Sequence, residues 1–335
     1  MRILLICNYT PGVGGISGQV ELLRKHLREE GHVADTFSTK GTIFQRLVLL
    51  HRVRKVARGY DVLHVHCCSG WGFLPAVAGI TAGLRLKKRV VLTYHGGGGE
   101  HFFGRHPRLV RYYLTRTDAN IVLTGFLAET FEKHRLPYTV IPNILEVDGH
   151  HFRLRDPLKP DYICTRAHEE LYNIPCILRA FQKVQSELPE ATLTLVGDGS
   201  QHTALMQMAN NIGLRNVTFT GHVDNHAIYR QLGQADILIS TPTVDNMPVS
   251  LLEAMNAGLL VISSRVGGVP YMIDDGKTGL LFESDNDNEL AGKMLWAVEH
   301  PAEVGTIIQQ AHNTVNNYHW EKIREKIYCS YGIPS

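Results

Sequence analysis

Short runs of branched apolar residues alternate with longer stretches of helical periodicity along most of the chain. Residues 2–8 read as a strand, residues 17–30 as a helix with apolar positions every three to four residues, and residues 32–37 as a second strand. Further strands are predicted at 61–66, 89–94, 119–123 and 138–141. They are rich in Val, Ile and Leu and barely alternate, as parallel strands covered on both faces must be. Between 142 and 160 the periodicity lapses around Pro142, Asp148, Gly149, Asp156, Pro157 and Pro160, and the stretch from 144 to 160 reads as a linker. The alternation then restarts, with strands at 162–165, 192–196, 217–220, 235–240, 260–263 and 279–282. Helices are predicted between them at 174–186, 201–212, 225–234, 249–257 and 288–298, and two more helical patterns close the chain. The pattern predicts two Rossmann-like α/β domains, residues 1–143 and 161–317.

Composition narrows the picture. A length of 335 residues suits two domains, each large enough for its own core. Apolar residues at 44% and charged residues at 20% exclude a disordered or fibrous chain. A net charge of +2, with basic and acidic residues interspersed, gives no field that calls for nucleic acid. Three local exceptions lie in the first half: Arg46, Arg52, Arg54, Lys55 and Arg58; Arg85, Lys87, Lys88 and Arg89; and Arg105, Arg108, Arg111 and Arg116. These read as solvated helix faces or, more sharply, as a surface resting on anionic lipid headgroups.

No stretch reaches the roughly 20 apolar residues of a membrane span, and the apolar run at 3–7 is too short for a signal-peptide core. The cysteines at 7, 67, 68, 164, 176 and 329 have no metal or redox spacing and suit reduced, buried thiols. A cytoplasmic location is expected, with peripheral contact at the inner membrane face as its extension.

In open parallel sheets, ligands sit beyond the carboxyl ends of strands, so the chemistry is sought in the loops that follow them. After the first strand, Pro11-Gly12-Val13-Gly14-Gly15-Ile16-Ser17-Gly18 lets backbone amides approach a phosphate, although as a dinucleotide fingerprint it lacks a glycine where Ser17 stands. His95 ends a strand and is followed by four glycines, 96–99, suited to a mobile lid or a close substrate approach. His64 and His66 share a strand face without a third metal ligand and read as hydrogen-bonded histidines.

The second half carries a sharper pattern. Asp245-Asn246-Met247-Pro248-Val249-Ser250 leads into a helix that bears Glu253, so first-turn amides could meet an anion and Glu253 two vicinal hydroxyls. On spacing alone, a capped helix with an early acid is the plainer reading. Asp285-Asn286-Asp287 has the form of a metal-binding triplet but reads better as a cap for the following helix.

Taken in order, these pieces resemble glycosyltransferase family 4. The resemblance runs through Gly14-Gly15, Gly31-His32, Arg166, Ala180-Phe181, Val196-Gly197-Asp198-Gly199 and Gly221-His222. It is densest at Asp245-Asn246-Met247-Pro248, Leu252-Glu253-Ala254-Met255, Gly258, Val266-Gly267-Gly268-Val269-Pro270 and Asp275-Gly276-Lys277-Thr278-Gly279-Leu280. It implies the GT-B fold, two Rossmann-like domains facing each other across a cleft, with the C-terminal helix of 318–335 returning to the first domain. It also implies retaining transfer from a nucleotide-diphosphate sugar, UDP favoured over GDP, to a saccharide or lipid-linked acceptor, with no cofactor and no metal.

Carried over, Gly14 and Gly15 would lie near the donor phosphates, Arg166 would grip the diphosphate, Glu253 would bind the ribose and Asp245 the sugar. Amides from Met247 through Pro248, Val249 and Ser250 to Leu251, together with Asn246, Tyr172, Asn173, Gly197 and Val223, would complete the donor site, and His95 would stand near the reacting sugar. Arg166, Asp245 and His95 form the expected catalytic set.

Three departures stand out. Tyr172-Asn173 replaces the usual lysine and its neighbour, Asp245 replaces a glutamate, and Tyr271 occupies a position often held by glutamate. The alternatives are a non-catalytic nucleotide-sugar-binding subunit and a nucleotide-sugar epimerase on a similar fold.

Overall fold

In the first of two compact units, the strand β1 (Arg2–Cys7) is buried at every position from Ile3 to Cys7, which makes it an internal strand. The computed structural model describes residues 1–10, 15–41, 48–146 and 152–333, with Asn225 described by its backbone alone. The first unit comprises Met1–Ile144 and Tyr318–Ser335, and the second comprises Leu145–Asn317.

The first unit is built on a parallel sheet of order β2-β1-β3-β4-β5-β6. Its remaining strands are β2 (Val33–Ser38), β3 (Val62–Cys67), β4 (Arg89–Tyr94), β5 (Ala119–Val122) and β6 (Thr139–Val140). The helices are α1 (Ile16–Glu29), α2 (Leu49–Ala57), α3 (Leu74–Leu86), α4 (Gly99–Arg105), α5 (Pro107–Leu114) and α6 (Gly125–Lys133). The two-residue period of the strands sorts the core. Leu4, Ile6, Leu63, Val65 and Leu92 pack on one face with Ala76, Ile80 and Phe103. Ile3, Leu5, Val62 and Val91 pack on the other with Leu23 and Leu27 of α1. That second face is completed from the far end of the sequence by Trp320, Ile323, Ile327 and Tyr331.

The second unit has a parallel sheet of order β12-β11-β10-β7-β8-β9. These are β7 (Asp161–Cys164), β8 (Thr192–Val196), β9 (Val217–Gly221), β10 (Ile237–Ser240), β11 (Leu260–Ser264) and β12 (Leu280–Phe282). Its helices are α7 (Ile174–Glu187), α8 (His202–Asn211), α9 (Asn225–Gln234), α10 (Val249–Ala257), α11 (Asp287–Glu299) and α12 (Pro301–Val315), and α13 (Trp320–Tyr331) returns to the first unit. The chain builds outward from β7 through β8 to β9, then crosses back to place β10 on the other side of β7. This reversal opens a crevice beyond the carboxyl ends of β7 and β10, where ligands of such sheets bind.

The stretch expected as a linker differs where it is described. Arg155 is 2% exposed and Leu158 joins the second core. The Arg155 guanidinium bonds the carbonyls of Leu232 at 3.0 Å and Ala235 at 3.1 Å, and Arg153 pairs with Asp236 at 2.7 Å. Residues 152–160 are thus a tethered strap on the second unit. Prolines break periodicity in a strap as in a linker, so the pattern alone did not separate them.

Candidate active site

Arg166 stands two residues beyond β7, and Asp245 lies in the loop beyond β10. The two meet at the crevice: Arg166 Nη2 donates to Asp245 Oδ2, and Nη1 donates to Ser250 Oγ at 3.1 Å. Side-chain exposures of 12% and 17% show a pair recessed but open to a ligand. Arg166 Cζ stands over the Tyr172 ring, 4.1 Å from its centroid.

The surrounding backbone braces this cluster. Thr241 Oγ1 bonds the carbonyls of Tyr172 at 2.8 Å and Asn173 at 3.0 Å, and the Thr243 amide donates to Leu171 O at 2.9 Å. Gly267 has φ of +51°, and a Cβ there would overlap the Asp245 carbonyl oxygen. Gly197, at φ +142°, would likewise overlap the carbonyl of Arg166. Only a residue without a side chain lets these backbones approach.

The helix α10 begins after Pro248, whose extended φ of −68° and ψ of 113° turn the chain into the helix without any side-chain cap. This corrects the plainer reading of the spacing, since the Asp245 carboxylate bonds Arg166 instead of capping α10. First-turn amides at such a helix start are free to meet an anion. Leu251 is an exception within the expected donor set: its amide donates to Pro248 O at 3.2 Å and its side chain is fully buried. Asn246 and Met247 are also buried, at 4% and 5% exposure, so they shape the loop from within.

Glu253 lies one turn into α10 and is partly buried. Burial pushes its carboxyl up to about 7, against the opposing pull of Arg166. Gly197 follows β8 beside the Arg166 carbonyl, its amide donating to Gly221 O at 3.1 Å, and Val223 stands two residues beyond β9. The Asn173 side-chain amide donates to Asp285 Oδ1 at 3.0 Å.

Asn286, not an aspartate, caps α11, its Oδ1 accepting from the Glu289 amide at 3.1 Å. Asp285 and Asp287 pair with Arg179 at 2.7 and 3.1 Å, and Asp287 also with Lys183. A cavity of about 920 Å³ beside Gly292, Trp296 and Ile307 shares no lining residue with the Arg166 cluster.

In the first unit, Gly15 precedes α1 with φ of +66°, and Gly14 lies outside the described residues, as does Arg46. His95 follows β4, and its Nε2 lies 3.0 Å from His66 Nδ1. Burial lowers His95 to about 4, so the imidazole is neutral in ordinary buffers. His64 is held by Tyr331 Oη at 2.7 Å and Thr93 Oγ1 at 2.8 Å, which makes it structural. In the sequence His66 was paired only with His64 on one strand face, and its contact with His95, across neighbouring strands, was not legible. The glycines after His95 serve packing in part: a Cβ on Gly96 would stand 3.0 Å from Ser69 N and from Tyr94 Oη.

Two doubly wound parallel sheets, the second with a cation and an uncapped helix start at its switch point, have the α/β architecture of the GT-B fold. Residues 152–314 match the family described as Glycosyl transferases group 1, and residues 37–148 match Glycosyltransferase Family 4. The chain belongs to the group 1 glycosyltransferases and is an enzyme of that class.

It is 26% identical to N-acetyl-alpha-D-glucosaminyl L-malate synthase of Bacillus anthracis, over 98% of this chain and 93% of that protein. Identity to the alpha-monoglucosyldiacylglycerol synthase of Streptococcus pneumoniae is 24%, over 89% of this chain and 78% of that one. Among solved structures, HepE of Anabaena in complex with UDP-glucose superposes with a TM-score of 0.81 at 19% identity, covering 99% of each chain. The sucrose-phosphate synthase of Thermosynechococcus elongatus gives 0.80 at 18%, over 99% of this chain and 98% of that one.

Proposed function

We propose that the enzyme transfers a hexosyl group, with retention of configuration, from a nucleotide-diphosphate sugar to a saccharide or lipid-linked acceptor. UDP is the favoured nucleotide, with GDP as the alternative. The observation that carries the reading is the Arg166, Asp245 and Ser250 cluster beside the uncapped start of α10, with Glu253 one turn away. A diphosphate displaces Asp245 from part of the guanidinium, and the ribose hydroxyls donate to Glu253.

The barrier lies in departure of the diphosphate. Arg166 and the first-turn amides of α10 stabilise the charge that grows on it, the electrostatic contribution that usually dominates. The acceptor oxygen bonds the anomeric carbon as the bond to phosphate breaks, and the acceptor proton passes to a phosphate oxygen. Asp245, freed from Arg166, orients the sugar. Donor binding needs no metal in this scheme, since Arg166 supplies the cation.

The acceptor side of the reading includes contact with an anionic membrane surface. Helices α2 and α5 both pack on α3. They carry exposed Leu50, Val56, Leu109 and Tyr112 among Arg52, Arg54, Lys55, Arg108 and Arg111. Apolar and basic side chains so mixed suit headgroups of negative charge. Sedimentation with anionic vesicles but not neutral ones is expected, and equal behaviour with both removes the membrane from the proposal. Among the described residues, no helix is long and apolar enough to cross a membrane.

The deciding experiment is a thermal-shift series with UDP, GDP, UDP-glucose, UDP-N-acetylglucosamine and GDP-mannose. A ligand at 100 times its Kd stabilises by about 2.7 kcal/mol. No response to any of them rejects the reading. Binding without transfer or hydrolysis of any donor points instead to a non-catalytic binding subunit.

A further inference from the structure

We infer that Tyr172 is a positioning residue that holds Arg166 ready for the donor diphosphate, supplying by preorganisation what a second cation would supply by charge. The inference rests on the donor-site reading above and deepens it. An arginine free to sample its rotamers pays for its immobilisation when a ligand arrives. Here the guanidinium is flanked on three sides by the protein's own groups: the Tyr172 ring at 4.1 Å, Ser250 Oγ at 3.1 Å and the Asp245 carboxylate. Two of these contacts occupy guanidinium N–H groups, which a diphosphate must also use. The ring contact occupies none of them, and so it survives donor binding.

The ring is itself fixed. Tyr172 ends a short 3-10 turn, Glu170–Tyr172, and is followed by Asn173 in the left-handed region with φ of 44°. Its carbonyl is bonded by Thr241 Oγ1 at 2.8 Å, from the loop that leads to Asp245. Tyr172 also packs against the second core. The platform, the cation and the loop that bears Asp245 are therefore one braced assembly. A planar guanidinium stacks on an aromatic face while its edge stays open for bidentate bonding to phosphate oxygens, which an ammonium group cannot do. In the family resemblance this position carries a lysine; here an aromatic support for Arg166 stands in its place.

The test is affinity for UDP by calorimetry, and for uridine by ligand-observed NMR, in the parent, Tyr172→Leu, Tyr172→Met and Tyr172→Phe. Loss of a partly desolvated cation–π contact is expected to weaken UDP roughly 3- to 30-fold in the Leu and Met variants. Uridine, which has no diphosphate, is expected to bind all four proteins alike, and Tyr172→Phe is expected to recover the parent affinity for UDP. Met, unbranched and flexible, fills the gap along a different path and keeps the test open if Leu destabilises the fold. Parent-like UDP affinity in Leu and Met overturns the inference alone. So does equal loss of UDP and uridine, which marks a structural role, or a Phe variant as weak as Leu. A parent that binds UDP, GDP and uridine not at all overturns the donor-site reading, and this inference with it.

Discussion

Glu253→Gln isolates the cost of holding a carboxyl in the crevice. In the folded chain burial raises Glu253 from its ordinary 4.5 to about 7. Between those values the unfolded chain has released its proton and the folded chain has not, so stability falls as pH rises through the interval and levels off above pH 7. At ~1.36 kcal/mol per pH unit the full interval amounts to about 3 kcal/mol, and partial exposure of the side chain trims this to about 2–3 kcal/mol. Glutamine has the same shape and no proton to lose. The stability of Glu253→Gln minus that of the parent should therefore grow by about 2–3 kcal/mol from pH 5 to pH 8.

For a domain of this size that is a widening of roughly 4–10 °C in melting temperature, within easy reach of calorimetry. A difference that stays constant from pH 5 to pH 8 refutes the raised value. The same carboxyl should register the ligand. Ribose hydroxyls donate to the ionised form, so donor nucleotide binding near pH 6.5 should release part of a proton, seen as a binding enthalpy that varies with the ionisation heat of the buffer. Near pH 8 that dependence should vanish.

Glu253→Ala should weaken free UDP about ten- to a hundredfold, as loss of a charge-assisted hydrogen bond implies. Asp245→Ala should spare free UDP and lower transfer, since its proposed partner is the sugar; nucleotide titration and a turnover assay check both. A chelator should leave UDP binding unchanged, and restoration of lost binding by magnesium or manganese would return Asp285 and Asp287 to consideration as ligands. Gly267→Ala forces a Cβ against the Asp245 carbonyl at a positive φ. It should cost roughly 1–3 kcal/mol in chemical unfolding and lower turnover with it.

The strands of both sheets were legible because buried parallel strands are written as dense runs of Val, Ile and Leu, and β3, β4 and β8 lie within about a residue of their expected bounds. The helix α3 was not delineated: seven of its residues, Pro75 to Gly83, are buried, so the polar stripe that marks a helical period is thin. In the site, Arg166 and Asp245 could be named from the order of motifs, but not their mutual bond, which depends on β7 and β10 being neighbours across 79 positions of sequence. The Asn173 bond to Asp285 and the burial of Arg155 were invisible for the same reason. Each joins segments whose proximity exists only after the sheet has formed its crossover.

The return of α13 to the first unit sets an order of events during synthesis. The sheet of that unit is complete once β6 has been made, yet one of its two faces stays uncovered where Trp320, Ile323, Ile327 and Tyr331 later pack, and His64 lacks its tyrosine partner. At 5–20 residues per second, the whole of Leu145–Asn317 must leave the ribosome first, a wait of roughly 10–35 s. The second unit, though later in the chain, can close its core before the first does. During that interval the nascent chain presents an apolar sheet face of the kind that chaperones hold, and a stop codon just before Trp320 would leave the first unit, made far earlier, without that part of its core.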